Sequence, residues 1–343
     1  MTATPTRLRP GVLATAVAGL VAVVAVSTLL GAANLGWTRV VAEVWAQLTG
    51  GTSPLSATEA AIVWEVRLPR VVLAGLVGAA LAVSGAAFQG VFRNPLADPY
   101  LLGAAAGAGM AATIVVVAAP QTAGWIVGPL PLAAFAGAIG GVSLTWVLGR
   151  SAGGGTAVLL LAGVAVASFL TAVQTFAQQL NTDTIKQVYS WMLGGLNTSG
   201  WTEVLVTVPY IAVAAAVLCL CGRLLDVLAV GDDEAASLGI NPGRVRVVVL
   251  LSASLATAAA VSVSGLIGFV GIVVPHVVRL LAGASYRVVV PLSLAGGAMF
   301  LIIADHIART AFAPAELPIG VITAFTGAPF FLLVLRMYRS KLR

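Results

Sequence analysis

The stretch Arg67–Gly107 reads RLPRVVLAGLVGAALAVSGAAFQGVFRNPLADPYLLGAAAG and places a long apolar run between charged residues. No charged side chain occurs between Arg70 and Arg93. A helix of about 20 apolar residues is long enough to cross the hydrocarbon core of a bilayer. We therefore expect residues 68–91 to form a transmembrane helix.

The whole chain has the composition of that stretch. Of its 343 residues, 59% are hydrophobic and 9% are charged, and the mean hydropathy is +1.04. Soluble domains have about 25% charged residues. The apolar runs lack the alternation of barrel strands, and helices are the other structure that satisfies backbone polar groups in lipid. The sequence predicts an all-α polytopic membrane protein with a single transmembrane domain over residues 1–343.

About ten transmembrane helices are expected, because ten apolar segments reach or approach the length of a span. They are residues 11–33, 68–91, 98–118, 130–149, 156–180, 203–222, 244–263, 266–282, 289–308 and 318–336. The first exceeds the apolar core of a signal peptide, about 7–15 residues, so we interpret it as an uncleaved span. The eighth contains Pro275 and is expected to be kinked or partial.

Five spans in each half would give the two halves opposite orientations, so the sequence allows an inverted-repeat arrangement. Residues 80–86, ALAVSGA, resemble residues 260–266, AVSVSGL, which favours such a repeat weakly. Glycines and alanines at small-xxx-small spacing predict close helix packing in lipid. These pairs are Gly103 with Gly107, Gly137 with Gly141, and Gly78 with Ala82.

The basic residues indicate the orientation. With the N-terminus inside, most of the 18 Lys and Arg residues fall on the inner side, as the positive-inside rule requires. We therefore expect a multi-pass protein of the bacterial cytoplasmic (inner) membrane with both termini in the cytoplasm. The exceptions on the outer side are Arg39, Arg67, Arg70, Lys186 and Arg309.

The inner loop 223–246, RLLDVLAVGDDEAASLGINPGRVR, predicts a short helix. Asp232 or Asp233 is a suitable N-cap, and Gly239 with Pro242 would end the helix. Such a helix is a docking element for a soluble partner, although a merely solvated loop would have the same pattern.

Three outer arginines have two explanations. Arg67 and Arg70 flank Pro69 at the start of the second span, and Arg309 lies at the end of the ninth. Their side chains could reach lipid headgroups, or their guanidinium groups could bind carboxylates of a partner outside the cell.

A polar stripe marks the fifth span. Thr171, Gln174, Thr175 and Gln178 recur at spacings of three and four and so share one helical face. Amides in a membrane helix bind another helix or line a water-filled path. The stripe contains no charge, which argues against a proton relay.

No pattern in the sequence predicts catalysis. No cluster of His, Cys, Asp or Glu has metal-ligand spacing, and no G-x-x-x-x-G-K-[ST] motif occurs. The basic residues are not interleaved with aromatic ones, so nucleic acid is not an expected partner. We expect a protein that is not an enzyme and binds no cofactor or metal of its own.

Three segments together resemble a known family. Arg67–Gly107, Ser264–Arg279 (SGLIGFVGIVVPHVVR) and Glu316–Phe330 (ELPIGVITAFTGAPF) are similar to the FecCD-like permeases, and the resemblance extends from about residue 60 to 336. Members of this family import iron siderophores, haem and vitamin B12. The resemblance implies a homodimer with a central pathway, two ABC ATPase subunits that bind ATP and Mg²⁺, and an extracytoplasmic substrate-binding protein.

The resemblance also implies residue roles. Arg67, Arg70 and Arg309 match the arginines that dock the binding protein. The fifth span matches the helix that lines the pathway, which includes Thr171, Gln174, Thr175 and Gln178. The residues that match the ATPase-coupling helix are Asp232, Asp233, Glu234, Ala235, Ser237, Leu238 and Gly239.

The resulting hypothesis is the permease subunit of a binding-protein-dependent ABC importer for iron chelates, siderophore or haem. A cobalamin importer of the same family is the alternative. A secondary transporter coupled to an ion gradient is the alternative from another class, and Asp305 would be its only plausible intramembrane carboxylate.

Overall fold

The computed structural model describes residues 8–31, 33–118, 128–196 and 200–341. Within these ranges the chain is helical and contains no β-strand. The α-helices are α1 Pro10–Leu29, α2 Trp37–Thr49, α3 Ala57–Ala61, α4 Leu68–Phe92, α5 Ala104–Ala118, α6 Pro129–Ser151, α7 Thr156–Leu180, α8 Ile185–Met192, α9 Thr202–Leu220, α10 Gly222–Val230, α11 Asp232–Ser237, α12 Pro242–Ser264, α13 Val270–Ala282, α14 Tyr286–Thr310 and α15 Ile319–Lys341.

Every predicted span corresponds to a helix. In the described residues, seven helices are long and apolar enough to cross a membrane, and three shorter apolar helices, α5, α13 and α15, account for the rest. The second span is longer than predicted, because α3 and a π-helical turn at Ile62–Arg67 continue into α4 as one 36-residue helix. The prediction of about ten spans is confirmed. Arg7 and Arg343, two of the predicted inner residues, lie outside the described residues.

The third and eighth spans begin later than predicted. Pro99–Leu102 form a short 3-10 helix, which begins at Pro99 and is ended by Gly103 at φ +81°. Residues 265–269 are not helical, and both Gly265 and Phe269 have positive φ. The two short spans therefore occupy equivalent places in the two halves, as an inverted repeat requires.

The short 3-10 helix and the non-helical segment 265–269 contact each other inside the bundle. The Tyr100 hydroxyl donates to the carbonyl oxygen of Ile267 at 3.1 Å and accepts from its N–H at 3.3 Å. The Gln89 side chain donates to the carbonyl oxygen of Gly271 at 3.0 Å. Irregular backbone at membrane depth is tolerated only where protein or water satisfies it. Here the side chains of Tyr100 and Gln89 are the hydrogen-bond partners of these backbone groups.

Glycines set the distances between the central helices, as predicted. A Cβ atom on Gly137 of α6 would lie 2.2 Å from the carbonyl oxygen of Gly107 on α5. A Cβ atom on Gly297 of α14 would lie 2.2 Å from the carbonyl oxygen of Gly78 on α4. Both distances are shorter than any real contact, so these backbones touch each other directly.

One amphipathic helix lies between the first two spans, where the sequence analysis placed no element. α2 buries Val40, Glu43 and Ala46 and exposes Trp37 and Trp45. The Glu43 carboxylate accepts hydrogen bonds from Ser53 and from the Trp64 indole, and these two bonds, the Ser53 bond foremost, lower the pKa of Glu43. α2 follows the end of α1 and contacts Trp64 just before α4, so it lies at the face where α4 begins.

Candidate functional site

The start of α4 and the end of α14 form an arginine cluster on one face of the molecule. Arg70 lies 2.9 Å from the Asp305 carboxylate and 3.0 Å from that of Glu316. Pro69 occupies the first turn of α4, as the sequence predicted, so both Arg67 and Arg70 lie at that end of the helix. Arg309 lies one turn after Asp305 on α14 and contacts the same carboxylate, so the three predicted arginines are neighbours. We call Arg67, Arg70, Asp305, Arg309 and Glu316 the arginine cluster.

Two of the three arginines, Arg67 and Arg309, are buried. Arg67 is 4% exposed and donates to the carbonyl oxygens of Thr28 and Ala33. Arg309 is 5% exposed and donates to the carbonyl oxygen of Ser27 at 2.7 Å. The last turn of α1 and Ala33 after it thus cover both side chains. A docking role for these arginines stays a prediction, and Arg70 is the one nearest the surface.

Asp305 is the centre of the cluster. Its side chain is 1% exposed and lies between Arg70 and Arg309, whose Nε atom is 3.5 Å away. Each of its two carboxylate oxygens therefore has a guanidinium group beside it. The Asp305 carboxylate is thus paired within its own chain.

The opposite face contains α11, the predicted coupling helix. Its N-cap is Gly231, whose backbone is extended, so the prediction that Asp232 or Asp233 caps the helix is wrong. Asp232 instead forms ion pairs with Arg93 at the end of α4 and with Arg246 of α12. The Arg246 hydrogen bond is the main reason that the pKa of Asp232 is lowered. These pairs connect α11 to two central helices.

The end of α11 is a Schellman motif. Gly239 adopts φ +75°, its N–H donates to Ala236, and the N–H of Ile240 donates to Ala235. Ala235 is buried against its own chain and Asp232 is partly buried. The other predicted coupling residues are exposed, and these are Asp233, Glu234, Ser237, Leu238 and Gly239.

The polar stripe of α7 divides into two parts. Thr171 and Thr175 are exposed and Gln178 is half-buried. Gln174 is 4% exposed, and its amide lies 2.9 Å from the Met192 sulfur of α8. Gln174 thus makes an interhelical contact, and the two threonines face out of the subunit. A pathway role for the stripe stays a prediction.

A cavity of about 750 Å³ beside Arg70 was missed by the sequence analysis. It lies between α8, the end of α12 and the start of α15. Its charged lining residues are Arg70, Asp183, Lys186 and Glu316. Lys186 and Ser190 recur at a spacing of four on α8, and this polar face is the signal that the sequence offered. Among the described residues, no group of His, Cys, Asp or Glu could hold a metal ion.

A bundle of about ten spans, with a capped helix on one face and an arginine cluster on the other, defines a multi-span transport subunit. The chain belongs to the FecCD transport family, whose family model matches residues 19–337. It is 43% identical over 280 residues to a cobalamin import system permease of Halobacterium salinarum, covering 81% of this chain and 74% of the relative. It is 39% identical over 288 residues to a hemin transport system permease of Yersinia pestis, covering 81% and 85%.

A solved structure has the same fold. It is described as an inward-facing conformation of a proposed metal-chelate type ABC transporter. The superposition has a TM-score of 0.81 at 26% identity and covers 96% of this chain and all of the other. The chain is thus a permease of an ABC importer of the FecCD family, which is the class that the sequence predicted.

Proposed function

We propose that this chain forms a homodimer that imports an iron chelate, siderophore or haem, across the bacterial inner membrane. Two separate ABC ATPase subunits bind ATP and Mg²⁺, and a substrate-binding protein delivers the chelate. The observation that supports this best is α11. It presents Asp233, Glu234 and Leu238 to solvent, while Asp232 connects the helix to Arg93 and Arg246. A partner that binds the exposed residues of α11 would move α4 and α12 with it, because the ion pairs of Asp232 hold α11 to them.

The proposed orientation places α11 in the cytoplasm and the arginine cluster outside. Arg93, Arg150, Arg223, Arg244 and Arg287 lie at helix ends on the α11 face, which fits the positive-inside rule. Both termini would then be cytoplasmic. A binding protein would dock on the arginine cluster, where its carboxylate would replace Glu316 as the partner of Arg70.

The proposed pathway follows the exposed face of α7. Thr171 and Thr175 would line it together with the same residues of the second subunit, and Gln178 would lie near its outer end. Uncharged hydroxyl groups let a bulky chelate pass without binding it tightly, so selection of the cargo would belong to the binding protein. The cobalamin permease among the relatives makes cobalamin the second candidate cargo.

Transport by the reconstituted complex tests this function. The chain, its ATPase and its binding protein would be placed in proteoliposomes and supplied in turn with a ferric siderophore, haem and cobalamin. We expect ATP-dependent uptake of an iron chelate and none with a hydrolysis-deficient ATPase. Uptake of cobalamin alone would favour the second cargo. Uptake driven by an ion gradient without ATP would overturn the proposal.

A further inference from the structure

A second cavity, of about 670 Å³, opens on the α11 face between α6, α7 and α12. Three arginines line it, Arg150 from α6 and Arg244 and Arg246 from α12, and none of the described residues in its lining is acidic. It is distinct from the arginine cluster, from the stripe of α7 and from the exposed tip of α11. Of its three arginines, the proposed function uses only Arg246, as a partner of Asp232.

The arginines of this cavity are available for an anion. Arg150 and Arg244 are exposed, and neither side chain has an ion pair within the described part of the chain. Arg246 donates to Asp232 through one terminal nitrogen, but its Nε atom is buried without a hydrogen-bond partner. The start of α7 adds to the positive electrostatic potential of the cavity. The free N–H groups of its first turn have no side-chain partner at the N-cap, because the N-cap is Gly155.

The remaining walls are apolar. Trp146, Leu159 and Leu250 line the interior, and Val248 lines the edge with 45% of its surface exposed. One turn further along α12, Leu251 is 61% exposed, so the apolar wall continues out of the cavity along the lipid-facing side of the helix. A free phosphate ion would use the arginines and leave these walls unused. A molecule with an anionic head and hydrocarbon chains would use both.

We propose that this cavity binds an anionic glycerophospholipid, with its phosphate at Arg150, Arg244 and Arg246 and an acyl chain along Val248 and Leu251. Basic pockets between transmembrane helices are known to hold such headgroups. The placement in the cytoplasmic leaflet depends on the orientation proposed above, whereas binding itself does not. Because Arg246 also holds Asp232, the lipid would lie next to the connection between α12 and α11.

Lipid retention by the purified full-length chain tests the proposal. Native mass spectrometry and thermal melting would compare phosphatidylglycerol, phosphatidylcholine and glycerol phosphate, which has the headgroup charge without the chains. We expect phosphatidylglycerol to be retained and to raise the melting temperature. The double substitution Arg150→Gln with Arg244→Gln would weaken this binding roughly thirtyfold. Arg336→Gln is the matched control, since that arginine is exposed on α15 outside the cavity.

Three results would overturn the proposal. One is equal retention of phosphatidylglycerol by the double variant and the wild type. Another is competition by glycerol phosphate at the affinity of the lipid, which would show an anion site without a role for the chains. The third is an equal loss of phosphatidylglycerol retention in Arg336→Gln and in the double variant, which would show that the arginines of the cavity have no special place. If the double variant does not fold, the single variant Arg244→Gln is expected to show about a fivefold weaker affinity.

Discussion

Arg70 and Asp305 are 235 positions apart in the sequence, yet the guanidinium group of one lies 2.9 Å from the carboxylate of the other. This ion pair joins the start of α4 to the end of α14, the two helices that touch through Gly78 and Gly297. The same guanidinium group also reaches Glu316, just before α15. One arginine thus holds three segments together on the face proposed to meet the binding protein.

Removal of the Asp305 carboxylate should destabilise the protein strongly. Asp305→Ala leaves Arg70 and Arg309 without their shared buried counter-charge, and we expect a loss of about 3–5 kcal/mol in the free energy of unfolding. Thermal melting in detergent measures it. Glu316→Gln is the control, because that side chain is 50% exposed and its loss should cost less than about 1 kcal/mol. Equal effects would contradict the central place of Asp305.

Docking of the binding protein should respond in opposite directions to two substitutions. Arg70→Gln removes the accessible guanidinium group and should weaken docking about tenfold. Glu316→Gln removes the carboxylate that competes for Arg70 and should strengthen docking about threefold. Surface plasmon resonance with the cognate binding protein measures both, and Arg39→Gln, an exposed arginine paired with Glu59, is the control. Weaker docking in Glu316→Gln would refute the exchange of carboxylates.

Association with the ATPase should depend on Leu238 and not on Asp232. Leu238 is 68% exposed, so Leu238→Asp would place a charge where an apolar contact is proposed and lower the affinity at least about tenfold. Asp232→Asn breaks contacts within the chain and should leave the affinity nearly unchanged while reducing uptake per ATP hydrolysed. Co-purification and coupled uptake assays separate these effects. Normal co-purification of Leu238→Asp would exclude the proposed contact.

Uptake should be blocked by bulk on one face of α7. Thr175→Trp fills the proposed pathway, so we expect transport to fall about tenfold with no loss of thermal stability. Phe176→Trp is the matched control, because Phe176 is 66% exposed and lies about 100° further around the helix. Both are measured in the proteoliposome assay. A similar loss in the two variants would show that Thr175 has no special position.

The glycine contact between α5 and α6 should tolerate no side chain. Gly137→Ala forces its Cβ against the carbonyl oxygen of Gly107 and should destabilise the protein by about 1–3 kcal/mol. Gly140→Ala, on the same helix with no atom within 4 Å of the new Cβ, should be neutral or stabilise by up to about 1 kcal/mol. Comparison of melting temperatures decides the point. Equal shifts would indicate that helix propensity alone is responsible.

The sequence was sufficient for the features that depend on local pattern. The lengths of the apolar segments predicted the spans, and the spacing of the glycines predicted the close packing at Gly107 and Gly137. The acidic run from Asp232 located α11. Each of these properties can be read within a window of about 20 residues, because helix formation and membrane insertion are decided over that length.

The features that escaped prediction depend on distant partners. Arg67 is buried because carbonyl groups of Thr28 and Ala33, at least 34 positions away, accept its hydrogen bonds. Gln174 contacts Met192 on another helix, so its helical face alone could not show that it is buried. The capping role expected of Asp232 failed for the same reason, since Arg93 is 139 positions away and binds its carboxylate.

The contacts between glycine backbones also restrict how the subunit can change shape. Where Gly78 meets Gly297 and Gly107 meets Gly137, the helices have no intervening side chains that could adopt new rotamers. The α4–α14 pair and the α5–α6 pair are therefore expected to behave as two solid blocks. A rearrangement that opens or closes the permease is then expected at the joints between helices, such as the 3-10 helix Pro99–Leu102 between α4 and α5 and the non-helical segment 265–269 between α12 and α13.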